Sequence, residues 1–313
     1  MLFVTFHGGK PGQHLRLNNV HAYNKKGKLV TPRVLEDRAD IVLEELRGMC
    51  LRGDLLYVVN ANETQNSVLC YRRKGGKYHY VSTFASRATC PGILHPFDLT
   101  FDHAGFCYVS SQDTNVVTRL NVSKNGRTGT PAPLALSLPT NGNFLPGTFV
   151  ASSVGKLSKP HTTAVAGPAG LAFSGTGAKK HSVRGVLWMK GALYVADEPA
   201  GRVKVYDASG KVVGQSNKVK QPVHLRSHKG SLYVTGGNQV WTAKIRKKPG
   251  DFMLEPLSDL KMKSAGGLAF TGGGKLYLAS RTGNAISKFD HKLGLVVFGS
   301  DLPDNPEFLL HVK

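Results

Sequence analysis

The chain has 313 residues, with 41 Lys and Arg against 20 Asp and Glu and a formal net charge of +21. No run of about 18 apolar residues occurs, which excludes a membrane-spanning helix. Neither GxxxxGK[ST], GxSxG nor HExxH is present, so nucleotide-loop, serine-elbow and zinc-protease chemistries drop out.

The first element is the apolar run LFVTFH at 2–7, which passes into small and polar residues. The same phrase returns as LLYVVNA at 55–61, CYVSSQD at 107–113, TFVASS at 148–153, LYVAD at 193–197, LYVTGG at 232–237 and LYLASR at 276–281. Self-similarity at this spacing marks a repeat protein, and an all-β unit of this length marks a β-propeller. Seven copies predict seven four-stranded blades in a single domain over 1–313. The fourth copy lacks the tyrosine. If it does not open a blade, residues 125–182 are a long insertion and the ring has six blades.

Each phrase follows a strand of common form: HPFDLTF at 95–101, QPVHLRS at 221–227, AGGLAF at 265–270. NPEFLLHVK at 305–313 has that form with no phrase after it. The C-terminal strand is therefore expected to join the N-terminal blade as its innermost strand, which closes the ring and hides its edges. The one helix-like stretch is Glu36 to Arg47. Cys50, Cys70 and Cys107 fall in strands and Cys90 in a loop, none as CxxC, and they read as small buried hydrophobes. That usage, with a start MLFVTFHGG unlike a signal peptide, points to a reducing, cytoplasmic setting.

The turn between third and fourth strands is basic in most blades. It reads Asn24-Lys25-Lys26-Gly27-Lys28, Arg72-Arg73-Lys74-Gly75-Gly76-Lys77, Lys124-Asn125-Gly126-Arg127, Ser209-Gly210-Lys211, Arg246-Lys247-Lys248-Pro249-Gly250 and Asp290-His291-Lys292. Tight turns explain the glycines. They do not explain the lysines, which would form a rim on one face. Lys25, Lys26, Arg72, Arg73, Lys247 and Lys248 are the candidate contacts for an anionic partner, whether acidic glycan, nucleic acid or protein. A solvated surface is the alternative.

The opposite face holds the channel mouth. Aligned strand starts place Glu45, His95, Ser182, Gln221, Ser264 and Asn305 in one column. Arg47, Phe97, Arg184, Val223, Gly266 and Glu307 follow, then Gly48, Asp98, Gly185, His224, Gly267 and Phe308. Loops after the phrase add His7, Asn60, Gln112, Asp197, Glu198 and Arg281. Convergent polar groups of this kind make a binding pocket, with Glu45, Gln221, Asn305, His7 and Arg281 as ligand contacts. For an enzyme, His95 or His224 would move a proton while Arg47 or Arg184 holds an anionic substrate. His95, His224 and His7 are also possible zinc ligands.

LYVADEPAGRVKVYDASGKVVGQ at 193–215 resembles an NHL repeat, and LYLASRTGNAISKFDHKLG at 276–294 resembles its Asn-Ala-Ile variant. The resemblance implies a propeller. Relatives by fold include RNA-binding and protein-binding modules, SMP-30-type lactonases and streptogramin lyases. The lactonase likeness implies calcium held by Glu45, Asp98, Asn305 and Asn60. The chain departs from that pattern in lacking Glu-Gly-Pro at an inner strand, and from the lyases in lacking Leu-Trp-Phe-Thr-Glu. The combined reading is a ligand-binding propeller for an anionic partner, and the rival is a metal-dependent hydrolase, lactonase or lyase at the channel mouth.

Overall fold

Valine, leucine and tyrosine dominate the recurring phrase, and such residues favour a pleated strand buried on both faces. In the computed structural model, Leu56, Tyr57, Val58 and Val59 are wholly buried, as are Cys107 to Val109. The structure describes residues 1–6, 17–62, 64–133, 147–151, 182–257, 262–290, 292–300 and 302–313. The phrases Leu2–Phe6, Leu55–Asn60, Phe106–Ser111, Ala192–Asp197, Ser231–Gly236 and Leu276–Ser280 are each the second strand of an antiparallel sheet.

The innermost strands are Pro306–His311, Leu46–Arg52, Pro96–Phe101, Val183–Met189, Pro222–His228 and Ala265–Phe270, which define blades one to six. Each packs on the next, and the last returns to the first, so the sheets form a ring. The described residues form an all-β, six-bladed propeller. Closure follows the expectation: Leu2 pairs with His311, Val4 with Leu309 and Thr5 with Phe308.

The preferred count of seven blades is corrected. TFVA at 148–151 pairs with the third strand of blade three, Val116–Val122, with Val117 opposite Val150 and Val116 opposite Ala151. It is an outer strand of that sheet and opens no blade. The apolar pattern specifies a strand, but the free edge of blade three decides where it pairs. The remainder of that repeat copy, beyond Ala151, lies outside the described residues. The stretch 36–47 is no helix: isolated bridges at Leu35, Arg38 and Ile41 lead into the strand Leu46–Arg52. All four cysteines are free thiols, with Cys90 buried in its loop and Cys50 only half-buried. Among the described residues, no helix is long and apolar enough to cross a membrane.

Two backbone devices shape the channel. Every inner strand has an irregular register near its start, from Leu46/Met49 in blade two to Ala265/Leu268 in blade six. Such bulges re-aim side chains. Just before them, Glu45, His95, Gln221 and Ser264 hold left-handed backbone, with φ of 47°, 50°, 47° and 51°. Four non-glycine residues in this sparsely allowed region, at one position of the repeat, represent stored strain.

The second device is alternation. Around the ring the deeper column runs Phe308, Gly48, Asp98, Gly185, His224, Gly267. A Cβ on Gly48 would lie 2.8 Å from Asp98 Cα, one on Gly185 3.1 Å from His224 Cα, and one on Gly267 2.8 Å from Phe308 Cα. The glycines let neighbouring strands approach, and the larger residues fill the axis.

Candidate functional site

The plug of the channel is aromatic. Phe97 and Phe308 lie 5.0 Å apart, and the His224 ring sits 5.3 Å from Phe97 and 4.4 Å from Phe308. His224 is buried and neither ring nitrogen has a hydrogen-bond partner. Burial drives its pKa well below the ordinary imidazole value against the pull of Glu307, with Arg281, Arg226 and Arg184 adding to the fall, so the ring is neutral.

Above the plug lies a charged layer. Glu45 Oε2 is 2.9 Å from Arg47 Nη2 and 3.3 Å from His95 Nε2. On the other side of the ring, His95 Nδ1 is 3.5 Å from Asp113 Oδ1. Burial opposes a charged His95, but Asp113 and Glu45 outweigh it and raise the pKa. Burial would likewise raise Glu45, yet His95 and Arg47 hold it at about 2. Both ring nitrogens face carboxylates, an arrangement that favours the protonated ring. His95 Nε2 also lies 2.9 Å from Arg47 Nη2, where the neutral ring protonated on Nδ1 accepts from the guanidinium and the protonated ring instead shares Glu45 with it.

The other arginines are matched in the same way. Arg184 Nε donates to Glu198 Oε2 at 2.7 Å, and Arg281 Nε donates to Glu307 Oε2 at 2.9 Å. Arg47 Nη1 lies 3.9 Å from Glu307 Oε1. Arg47 and Arg184 also stand over the Phe97 ring, at 5.6 and 5.2 Å. Deeper, Asp98 faces Arg226 at 3.6 Å and accepts from the Leu99 and Val186 backbone. Burial still lifts its pKa to about 6.

Of the residues expected at the mouth, Glu45, His95, Arg47, Arg184 and Arg281 enter this layer. His224 lies in the plug and Asp98 beside Arg226. Gln221 is exposed and Asn305 half-buried, each just before its inner strand. His7 lies outside the described residues. Asn60 is occupied: its carbonyl accepts from Glu44 N and its amide donates to Val42 O. The oxygen set implied for calcium therefore does not fit. Among the described residues, no three His, Cys, Asp or Glu converge as metal donors. Asp113, beside Gln112 in the loop, escaped the sequence reading.

The turns of blades one and four are tied by their own side-chain acceptors. Asn24 Oδ1 accepts from Lys26 N and Lys28 N, and Asp207 Oδ1 from Ser209 N and Lys211 N. The turn acceptors thus bind backbone and leave lysine heads outside. Lys25, Lys26, Arg73, Lys247 and Lys248 are exposed. Of the six candidate rim contacts, Arg72 alone has a carboxylate partner among the described residues, Asp54 at 2.8 Å.

No family model matches the chain, and no curated protein is significantly similar to it. Solved structures share its fold. The nidogen–laminin complex contains a chain with 11% identity and a TM-score of 0.59, covering 99% of this chain and 96% of that one. A Lactobacillus plantarum protein gives 15% identity and 0.56 over 95% of this chain and 80% of its own. A candidate 6-phosphogluconolactonase from Bacteroides uniformis gives 14% and 0.57, with the same 95% and 80% coverage. At these identities the likeness shows the propeller fold alone.

Proposed function

We propose that this propeller is a binding module whose turn-bearing face takes an acidic polysaccharide. The observation that carries this is the set of exposed turn bases, at Lys25, Lys26, Arg73, Lys247 and Lys248, that have no carboxylate partner among the described residues. Uncompensated charge on one face attracts a polyanion. A single-stranded nucleic acid would call for exposed aromatic platforms. Among the described residues, the exposed large hydrophobics are aliphatic, Val30, Leu293 and Val297 among them, and none is aromatic. The test is retention on a sulfated polysaccharide against single-stranded RNA over a salt series. The polysaccharide should bind more tightly, and Lys247→Ala with Lys248→Ala should lower the salt slope by about two. Salt-independent binding, or a preference for RNA, would overturn the reading.

A second reading rests on His95. An imidazole held between Glu45 and Asp113 at the mouth, with its pKa raised by them, is placed to act as a general acid. The likeness to a candidate 6-phosphogluconolactonase agrees with this at the level of fold only. Turnover of sugar lactones that disappears in His95→Gln and survives the rim substitutions would favour it over binding alone.

A further inference from the structure

Ring closure brings the first and sixth blades together, and on the turn face their ends leave space between them. A cavity of about 520 Å³ remains there, within the range of small-molecule sites. Lys25, Lys26, Lys275, Lys288 and His311 line it, and among the described residues no Asp or Glu does. They come from four separate places: the outer turn of blade one, the inner turn of blade six, its third strand, and the closing strand.

The cavity has an apolar wall as well. Lys288 pairs across the sheet with Tyr277 on one side and Val296 on the other, so these side chains share a face. Tyr277 meets Phe298 edge to face at 4.6 Å. Val296 and Val297 continue the lining and are exposed. The acceptors nearest the lysines are already engaged: Asn24 holds its turn, and Thr271 Oγ1 accepts from Lys275 N at 3.1 Å. Burial, and after it cations including Lys25 and Lys313, hold His311 below its ordinary pKa, as an uncompensated positive field requires.

We infer that the seam cavity is a site for a compact anionic amphiphile, one phosphate, sulfate or carboxylate head joined to an apolar or aromatic body. The lysines meet the head, and Tyr277, Val296 and Phe298 meet the body. The site shares Lys25 and Lys26 with the rim but stands independently of polysaccharide binding.

Calorimetric titration with phenyl phosphate, inorganic phosphate and phenol tests it. Phenyl phosphate should bind at least about tenfold more tightly than either fragment. Lys275→Glu with Lys288→Glu should remove that binding while circular dichroism and the melting temperature stay as in the parent. Val296→Ser with Val297→Ser, both at exposed positions, should weaken phenyl phosphate and leave inorganic phosphate unchanged. Lys247→Ala with Lys248→Ala should weaken the polysaccharide alone, so failure of one site leaves the other readable. Equal affinity for inorganic phosphate would overturn the proposal. So would no binding of phenyl phosphate, or binding indifferent to the Lys275 and Lys288 reversal in a folded protein.

Discussion

At the channel mouth Arg47, Arg184 and Arg281 each lie against a glutamate, whereas at the seam Lys25, Lys26, Lys275 and Lys288 share a cavity that no carboxylate lines among the described residues. The difference follows burial. Arg47 has a side chain only 3% exposed and Glu307 none, and an unmatched charge there would carry its full desolvation penalty. Lysine heads on a turn stay hydrated and need no partner. Abundance of arginine is therefore a poor guide to where an anion binds. The mouth is self-neutralised, and the seam is where positive charge is left over.

That contrast breaks first at Glu307. Glu307→Gln leaves Arg281 and Arg47 short of their buried counter-charge and should destabilise the fold by roughly 3–5 kcal/mol in urea denaturation. Lys275→Gln at the seam should stay within about 0.5 kcal/mol. Equal costs would show that the two regions do not differ as argued. A smaller effect is steric. Gly267→Ala puts a Cβ 2.6 Å from Glu307 O and should cost about 1–3 kcal/mol. Gly273→Ala, on the seam turn, meets only Thr271 Oγ1 at 3.9 Å and should be near neutral.

The mouth should also respond to pH in a defined direction. Folded His95 holds its proton more tightly than an ordinary imidazole, whose pKa is 6.5. Its stabilising contribution is thus complete below about pH 6.5 and is lost as pH rises through the higher folded value. Glu45 works the other way: held at about 2 against an ordinary 4.5, it contributes above pH 4.5 and loses that as pH falls toward 2. His224 and Asp98 titrate with opposite sense, so the difference between parent and His95→Gln isolates the cluster. That difference in unfolding free energy should shrink between pH 6 and pH 9. A constant gap would show that His95 is not held as an imidazolium.

The phrase and the closing strand were legible because burial on both faces imposes a dense, recurrent apolar pattern. The blade number was not, since TFVA at 148–151 has a good strand pattern and only its pairing with Val116–Val122 shows that it is an outer strand. The polar column at Glu45, His95, Gln221 and Ser264 could be read from alignment, but its left-handed backbone has no marker in residue type. Asp113 becomes relevant only through a 3.5 Å approach to a ring 18 positions earlier. Lys275, Lys288 and His311 were missed for a topological reason. Attention to the third-to-fourth-strand turns overlooks the first-to-second-strand turns, which share the same face, and only ring closure brings these three groups to one cavity.

The smallest expected effect is the most direct reading of the seam field. His311 lies below its ordinary pKa first because it is partly buried and then because cations surround it, Lys25 among them. Removing Lys25 leaves the burial unchanged and takes away one repulsive charge. Lys25→Ala should therefore move the His311 titration upward, part of the way back toward 6.5, in the imidazole proton resonances. Added salt should move the parent in the same direction, because screening weakens an exposed charge pair and does not change desolvation. The two shifts should not be additive, since salt has less to screen once Lys25 is gone. If neither moves His311, its depression comes from burial alone, and the uncompensated field assigned to the cavity is absent.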